Sequence, residues 1–387
     1  MNRLLLFVFI WFNTSGLAQN AEYSVVIKDV ETQLPIDDAT VVVLKTKQIL
    51  LSNQDGKVTF MLNGGSNIQV SEANHETLIV RWASLKENEF VVYLKNKKNK
   101  LDEIVLSKEP PDKILHKIVS NSMKKLAVSC RLKVYVREFF MLDNKYSYYN
   151  DGLVNFQFSV NQKESTTTLL VEQNRSYGLI DTDVSADLKG YDLNNIMENY
   201  YNLNYFDPIL DSKLKKEYYF IIKGHPSNKD YYVMFVKPIK ISKKVMDSFE
   251  IVYDPAKKLI IEYMILTTPE IAAKIEGKTN VGAKNITRSL VKVNYRVDGL
   301  DYYLLSSNEE IAYDLVLKDK VKNIQVRNSF VTTNFNKQKF TYKESDVFKE
   351  KTLFNKKNKI LTNYWDISGF RATDEEKILI GALDYKM

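Results

Sequence analysis

The side chains best suited to chemistry are few in this chain of 387 residues. Its histidines, His75, His116 and His225, lie far apart, and none has a glutamate three residues after it. A catalytic or structural zinc site needs such ligands grouped in a recognisable pattern. We therefore predict no metal centre, and we expect the single cysteine, Cys130, to be a buried apolar residue rather than a reactive thiol.

Carboxylates offer another chemistry. Glycoside hydrolysis needs two carboxyl groups roughly 5–9.5 Å apart, and Glu138, Glu309 and Glu310 could each pair with a distant carboxylate for this purpose. Nothing in their spacing singles them out, and solubility at strand edges is a sufficient explanation for them. The sequence also contains no phosphate-binding glycine loop and no nucleophile elbow. We therefore expect no catalytic residues, no enzyme activity and no cofactor.

Residues 1–18 are typical of an export signal. Arg3 supplies a positive charge, residues 4–12 form an apolar run, and Gly16 and Ala18 place small residues before a cleavage point. The run is too short for a membrane-spanning helix, and no later apolar stretch approaches about 18 residues. We expect an exported protein, periplasmic or associated with the outer membrane, whose mature chain has no transmembrane segment.

The mature chain is predicted to begin at Gln19, because signal cleavage favours small residues one and three positions before the cut. N-terminal sequencing of the exported protein should therefore read Gln-Asn-Ala. Recovery of exported protein that still carries residues 1–18 would contradict this prediction.

The charge of the chain is mildly basic. It carries 55 Lys and Arg against 48 Asp and Glu, a formal charge of +7, with acidic residues interspersed along its length. The densest basic run, at residues 95–100, is expected to be a solvated linker. No nucleic-acid-binding motif accompanies it, so nucleic acid is not an expected partner.

Residues 21–107 are predicted to form a β-sandwich. Short runs rich in β-branched residues alternate with turn signals at intervals of about 8–12 residues. One signal, at residues 53–56 (Asn-Gln-Asp-Gly), predicts a hairpin between the runs at 49–52 and 57–61.

This stretch resembles the carboxypeptidase-regulatory-like domain found at the N-termini of exported Bacteroidetes proteins. The resemblance implies an immunoglobulin- or transthyretin-like β-sandwich and no peptidase activity. The sequence departs from it at Asn74-His75, where the family often has Gly-Tyr, and at Ala21-Glu22, where it has a glycine. The matching residues are Asp29, Leu34, Pro35, Ala39, Val41, Val43, Ser52, Asp55, Gly56, Phe60, Val70, Ser71, Leu94 and the run at 101–105 (Leu-Asp-Glu-Ile-Val).

Residues 108–387 are predicted to form an α+β domain. A helix capped by Asp112 opens it, a second helix follows at 193–203, and successive hairpins predict an antiparallel meander sheet with the helices on one face. Asn150-Asp151-Gly152 is one of the predicted turns. A short C-terminal helix begins at the capping-box residues Thr373 and Glu376. This region is similar to a Bacteroidetes family of unknown function whose longer members add an outer-membrane β-barrel.

Five Tyr-Tyr pairs stand out, at 148–149, 200–201, 218–219, 231–232 and 302–303. On a strand, neighbouring side chains point to opposite faces, so each strand pair is predicted to place one tyrosine in the core and one outside. The outward tyrosines could form a platform for a sugar or lipid, or they could reflect the β-propensity of tyrosine. The candidate contact residues are Tyr218, Tyr219, Tyr302 and Tyr303.

The sequence thus predicts a mainly β protein that binds or scaffolds at the cell envelope without catalysis. Its partner is expected to be an envelope protein, a lipid or a glycan. One alternative is a carrier or chaperone that holds an acyl chain or an outer-membrane client in the second domain, and a periplasmic hydrolase is another. A deep apolar pocket would favour the carrier, clustered carboxylates would favour the hydrolase, and a flat packed sheet would favour scaffolding.

Overall fold

The computed structural model describes residues 21–359 except 38, 47, 54, 73–74, 97–104, 106, 161–164, 179–191, 226–227, 241–246, 276, 319 and 339–340, together with 377–378 and 380–382. The chain divides into two compact units, with the boundary after Asn96. Strands dominate both units, which confirms the mainly β prediction.

The first unit contains two β-sheets around one core. The strand order is β4-β1-β7 in one sheet and β3-β2-β5-β6 in the other. Alternate side chains of both sheets, among them Val25 and Ile27 of β1 and Val41 and Val43 of β2, fill the core. A helix that the sequence pattern did not predict, α1, adds Leu85 to it. The elements are β1 (Ala21–Asp29), β2 (Thr40–Val43), β3 (Gln48–Leu51), β4 (Lys57–Leu62), β5 (Ile68–Glu72), β6 (His75–Val80), α1 (Trp82–Glu87) and β7 (Val91–Leu94).

The turn at residues 53–56 exists but does not make the predicted hairpin. Strand β3 pairs with β2, and β4 pairs with β1, so this turn carries the chain from one sheet to the other. The Asn53 side chain accepts hydrogen bonds from the backbone N–H groups of Asp55 and Lys57, at 3.0 and 2.9 Å, and Gly56 has φ +69°. The turn chemistry is local and predictable, whereas the choice of sheet depends on distant pairing.

The second unit contains one antiparallel sheet of ten strands, in the order β10-β9-β8-β17-β16-β15-β14-β13-β12-β11. Two meanders, β8–β10 and β11–β17, join where β8 pairs with β17. Among the described strands β10 and β11 are the edges, so the sheet is open. The elements are α2 (Pro111–Leu126), β8 (Cys130–Leu142), β9 (Lys145–Val160), β10 (Ser165–Gly178), α3 (Leu193–Asn202), α4 (Asp207–Leu210), β11 (Tyr218–Gly224), β12 (Tyr232–Pro238), β13 (Ser248–Asp254), β14 (Leu259–Thr267), α5 (Pro269–Ala272), β15 (Lys284–Asp298), β16 (Asp301–Val316) and β17 (Val321–Asn336).

Helices α2 and α3 pack on one face of this sheet. Pro110 is the N-cap of α2, and Asp112 lies in its first turn, where it pairs with Lys215 at 2.8 Å. Asp192 caps α3 by accepting the Asn195 N–H at 3.0 Å. The buried stripes of both helices belong to the same core as the sheet: Leu115, Ile118, Val119 and Leu126 of α2, and Leu193, Ile196, Met197, Tyr200 and Tyr201 of α3.

The predicted turn at Asn150-Asp151-Gly152 is wrong, because β9 runs unbroken through these residues. The chain reverses instead at Asp143 and Asn144, both at positive φ. Asn150 and Asp151 are polar strand residues whose side chains bond to neighbouring strands, to Glu138 and Arg175 respectively. Composition indicated a turn because these long-range partners are not visible in the local sequence.

Residues 344–359, which we call the strap, run along the outer edge of β10. The Phe348 N–H donates to the Leu169 carbonyl at 2.8 Å, and Asn174 and Lys359 exchange two backbone hydrogen bonds of 3.0 Å. The strap thus supplies partners to an edge strand that would otherwise present unpaired backbone groups.

Several predicted features lie outside the described residues: the export signal, residues 101–104 and the helix start at Thr373 and Glu376. Residues 377–378 and 380–382 are helical. The Val105 N–H donates to the Ile222 carbonyl of β11 at 2.9 Å, so this residue belongs to the second unit and not to the predicted sandwich of residues 21–107.

Candidate functional site

An apolar pocket of about 220 Å³ opens between the C-terminal end of α2, helix α3 and the β9–β10 end of the sheet. Phe158 of β9 and Tyr201 of α3 both line it, and their rings stack with centroids 4.0 Å apart. A cavity of about 150 Å³ holds a benzene molecule. The pocket therefore has room for one aromatic or branched aliphatic group.

Residues from distant parts of the chain form the walls of this pocket. Thr167 of β10 pairs directly with Phe158 of β9, so both side chains lie on the helix-covered face. Met123 and Leu126 come from α2, three residues apart on one side of the helix. Met123 keeps 38% of its surface exposed, which leaves this wall of the pocket accessible.

Four lysines lie at or near the C-terminal part of α2. Lys124 lines the pocket, and Lys125 follows it in the last turn of α2. The Asn121 side chain donates to the carbonyl oxygens of Lys257 and Lys258, at 2.9 and 3.1 Å, and so holds the β13–β14 turn beside this end of the helix. All four lysines are exposed, and the acidic residue among the pocket linings is Glu198 of α3.

The first predicted tyrosine pair behaves as expected. Tyr218 of β11 is buried against Phe249, with ring centroids 6.0 Å apart, whereas Tyr219 is 42% exposed. Tyr219 therefore remains available as a contact residue, and its role stays a prediction.

For the second pair, Tyr302 and Tyr303, the prediction that one tyrosine points outward is wrong, because both are buried. The Tyr302 hydroxyl donates to the Ile260 carbonyl at 2.6 Å, and Tyr303 stacks on Phe335 at 4.4 Å. Both faces of the sheet are covered at this point of β16, a condition that strand periodicity cannot reveal. Tyr219 on β11 and this pair on β16 are five strands apart, roughly 24 Å, so the four tyrosines do not form one site.

The prediction that Glu138 and Glu309 serve solubility at strand edges is also wrong, because both are buried. Glu138 is fully buried and Glu309 is 5% exposed. Asn328 of β17 pairs with Glu138 of β8 on one side and with Glu309 of β16 on the other, which places the three in one row across the helix-covered face. The Cα atoms of the two glutamates are thus two strands, roughly 10 Å, apart. Glu310 points to the other face and pairs with Arg288.

The two buried carboxylates differ in their partners. Glu309 accepts hydrogen bonds from the hydroxyls of Tyr200 and Tyr205, at 3.2 and 2.9 Å. Glu138 accepts from the Asn150 amide and, at 3.4 Å, from the Thr352 hydroxyl of the strap. Neither carboxylate lines the pocket, so substrate in the pocket would not meet them.

The opposite face carries a buried ion-pair network around Asp151 of β9. Its carboxylate accepts from the hydroxyls of Tyr135 and Tyr149, at 2.9 and 2.6 Å, and from two nitrogens of Arg175, at 3.0 and 2.6 Å. Arg137 donates to the Tyr135 hydroxyl at 3.1 Å. The network links β8, β9 and β10.

In the first unit, His75 joins three strand ends. Its ring nitrogens lie 2.9 Å from Asp29 Oδ2 and 2.5 Å from Glu72 Oε2, and the Asn96 amide donates to Asp29 Oδ2 at 2.7 Å. The Thr32 backbone N–H and His75 hold the pKa of Asp29 at about 2. No glutamate follows His75 at the spacing of a zinc motif, because Glu72 precedes it across the β5–β6 reversal, so the sequence pattern did not indicate this cluster.

Other chemistry is limited in the described part of the chain. Burial raises the pKa of the Cys130 thiol to about 12, which fits its apolar surroundings. Within the described ranges, no three or more His, Cys, Asp and Glu side chains are grouped as metal ligands. None of the helices in those ranges has the length and apolar character needed to cross a membrane.

Comparison with known proteins gives no family. No protein-family model matches the chain, and no curated protein matches it. Three solved structures show low similarity. A DUF1329 family protein from Desulfovibrio piger is 8% identical, with a TM-score of 0.27, over 59% of this chain and 93% of its own. Lipovitellin is 8% identical, with a TM-score of 0.24, over 56% of this chain and 26% of its own. The MucA/MucB complex of Pseudomonas aeruginosa is 12% identical, with a TM-score of 0.20, over 56% and 93%. At these scores we transfer neither fold nor function from them.

Proposed function

We propose that this chain is an exported, non-enzymatic binding protein of the cell envelope, and that its second unit takes one apolar side chain of a partner protein into the pocket beside α2 and α3. The observation that carries the proposal is the size of this pocket, about 220 Å³. Pockets for whole small molecules usually enclose about 300–1,000 Å³. A single anchoring side chain fits this volume better than a whole acyl chain does, which favours protein binding over the carrier alternative.

The charge around the pocket supports a partner with an acidic surface. Lys124 lines the pocket and Lys125 follows it on α2, while Lys257 and Lys258 lie in the turn that Asn121 of the same helix contacts; all four are exposed. Charge complementarity at the rim of an interface steers association and sets specificity more than it adds affinity. Binding is therefore expected to weaken as salt increases, while the apolar anchor supplies most of the stability of the complex.

The first unit is a separate module with its own core. Seven strands in two sheets with one core are consistent with the carboxypeptidase-regulatory-like resemblance. We include that assignment in the proposal: the module is a folded spacer or a second contact surface, without peptidase chemistry.

Thr167→Phe should weaken partner binding at least about tenfold, because losing one anchoring contact at an interface commonly costs 2 kcal/mol or more. The phenyl ring would fill the pocket from the β10 wall. The measurement is a quantitative pull-down from envelope extract with the mature protein as bait, followed by titration of the partner recovered.

Thr166→Phe is the matched control. Thr166 precedes Thr167 on the same strand, is exposed and points to the other face. The Thr166→Phe variant should leave partner binding unchanged. Equal binding by both variants would reject the pocket as the site. Native mass spectrometry that finds a copurified lipid would favour the carrier, and turnover of an ester, peptide or glycoside by the purified protein would favour the hydrolase.

A further inference from the structure

The middle of the strap lies directly over the buried row on the sheet. Leu353 is fully buried and packs where Gly152 has no side chain: a Cβ there would come within 2.5 Å of Leu353 Cδ1. Phe354 packs edge-on against Tyr148, with ring centroids 4.8 Å apart. These contacts place the neighbouring Thr352 within 3.4 Å of the Glu138 carboxylate. The strap therefore covers the Glu138 side chain.

The Glu138 carboxylate has few hydrogen-bond partners beneath the strap. Both of its hydrogen bonds go to Oε2, from Asn150 and Thr352, and Oε1 has no partner among the described residues. No ion pair reaches it in the part of the chain that is described. A buried carboxylate without a compensating cation or full hydrogen bonding is costly when charged. Burial accordingly raises the pKa of Glu138 to about 8, although the bonds from Asn150 and Thr352 act in the opposite direction.

The titratable groups around Glu138 do not compensate its charge. The Asn150 amide also donates to the Tyr148 hydroxyl of β9 at 2.7 Å, and burial raises the pKa of Tyr148, so this tyrosine stays neutral. Across the row, Glu309 is a like charge, and its pKa is raised by burial as well. The cations that the strap itself brings are placed elsewhere: Lys351 is exposed, and Lys356 lies over the Phe348 ring at 5.5 Å.

We infer that Glu138 is a proton-operated latch for the strap: the neutral carboxyl group holds the strap on the sheet, and loss of its proton favours release. The device goes beyond the proposed binding function and does not depend on it. It would make access to the Gly152 and Tyr148 surface, and to the edge of β10, depend on pH.

The direction follows from proton linkage. With the strap closed, Glu138 keeps its proton until about pH 8, whereas a solvated glutamate loses it near pH 4.5. Between these values strap opening releases a proton, so the opening equilibrium constant rises with pH by up to tenfold per unit. Below pH 4.5 and above pH 8 the dependence disappears.

Hydrogen exchange tests this inference in the full chain. The opening constant of backbone amides in residues 344–359, corrected for the intrinsic effect of pH on exchange, should rise across the interval from pH 4.5 to pH 8 and then level off. Glu138→Gln should keep the strap closed and remove the pH dependence, because an amide keeps the shape and cannot ionise. Glu310→Gln, a change to a partly exposed glutamate on the other face, should behave as the wild type does.

Three outcomes would overturn the latch. One is strap exchange that does not change with pH in the wild type. Another is an unchanged slope in Glu138→Gln, which would assign the effect to another group. The third is opening of the strap only together with β8 and β9, which would make Glu138 a determinant of global stability alone. If Glu138→Gln does not fold, Leu353→Ala replaces it: it should raise strap exchange across the interval and keep the wild-type slope, because Glu138 can still ionise. Strap exchange that Leu353→Ala leaves unchanged would show that the strap opens only together with the sheet, which would likewise reject the latch.

Discussion

Asp151→Ala is expected to lower the free energy of unfolding of the second unit by about 3 kcal/mol, the low end of the range for breaking a buried ion pair. Asp151 is fully buried and accepts four hydrogen bonds that join β8, β9 and β10. Its loss would leave the Arg175 guanidinium and two tyrosine hydroxyls without their acceptor. Arg175 retains 25% exposure, so water can compensate part of the loss.

A double-mutant cycle separates the ion pair from the packing around it. The measurement is chemical denaturation of wild type, Asp151→Ala, Arg175→Met and the double variant, followed by hydrogen exchange in β8 to β10. We expect the double variant to lose clearly less than the sum of the single losses, because residues in contact couple by about 0.5–3 kcal/mol. Additive losses would show that Asp151 and Arg175 do not stabilise each other.

Gly56→Val should destabilise the first unit by about 3 kcal/mol. Its φ of +69° belongs to the left-handed region, where an L-residue costs roughly 1–2 kcal/mol and a β-branched one more. A Cβ at this position would also overlap the Ile27 carbonyl oxygen and lie 3.1 Å from the Pro35 Cβ. Relief of that overlap moves β1, where the Ile27 N–H now donates to the Gly56 carbonyl at 2.8 Å.

Gly64→Val provides the matched control. Gly64 has a similar φ of +78°, but a Cβ there would meet only the flexible end of Lys45, at 3.8 Å. This variant should therefore carry only the conformational penalty of a β-branched residue at positive φ, and so lose less stability than Gly56→Val. Hydrogen exchange of β1 and β4 amides in the full chain measures both losses. Equal losses in the two variants would show that the contact with β1 contributes nothing.

The sequence predicted those elements whose buried faces repeat in a local pattern. The Val-rich strand β2 and the amphipathic helix α2 were recognised from periodicity, because their buried faces repeat at the strand and helix periods. Two turn signals failed for a different reason. The turn at 53–56 connects two sheets rather than two paired strands, and Asn150-Asp151-Gly152 is a strand segment whose side chains bond across the sheet.

The candidate site was less predictable than the fold. The pocket requires Met123, Phe158, Thr167 and Tyr201 to meet, and they come from four elements whose packing no spacing rule encodes. The sequence indicated Glu138 and Glu309 as carboxylates, but neither their burial nor their shared row, which exists only once β8, β17 and β16 are in register. The prediction of one buried and one outward tyrosine holds where one face of the sheet is exposed to solvent, as at Tyr218 and Tyr219.

The strand order of the second unit has a consequence for the order in which the chain can fold. The β8–β10 meander is synthesised before the β11–β17 meander, but β8 finds its second neighbour only in β17, which begins at Val321. Chains emerge from the ribosome N-terminus first, and pairings between distant segments are slow to form. Until nearly the whole chain is available, β8 and β10 therefore lack the β17 and strap residues that finally pair with them. Such exposed edges recruit other strands, so a partner that shields β8 during this interval would act on the yield of folded protein rather than on its stability.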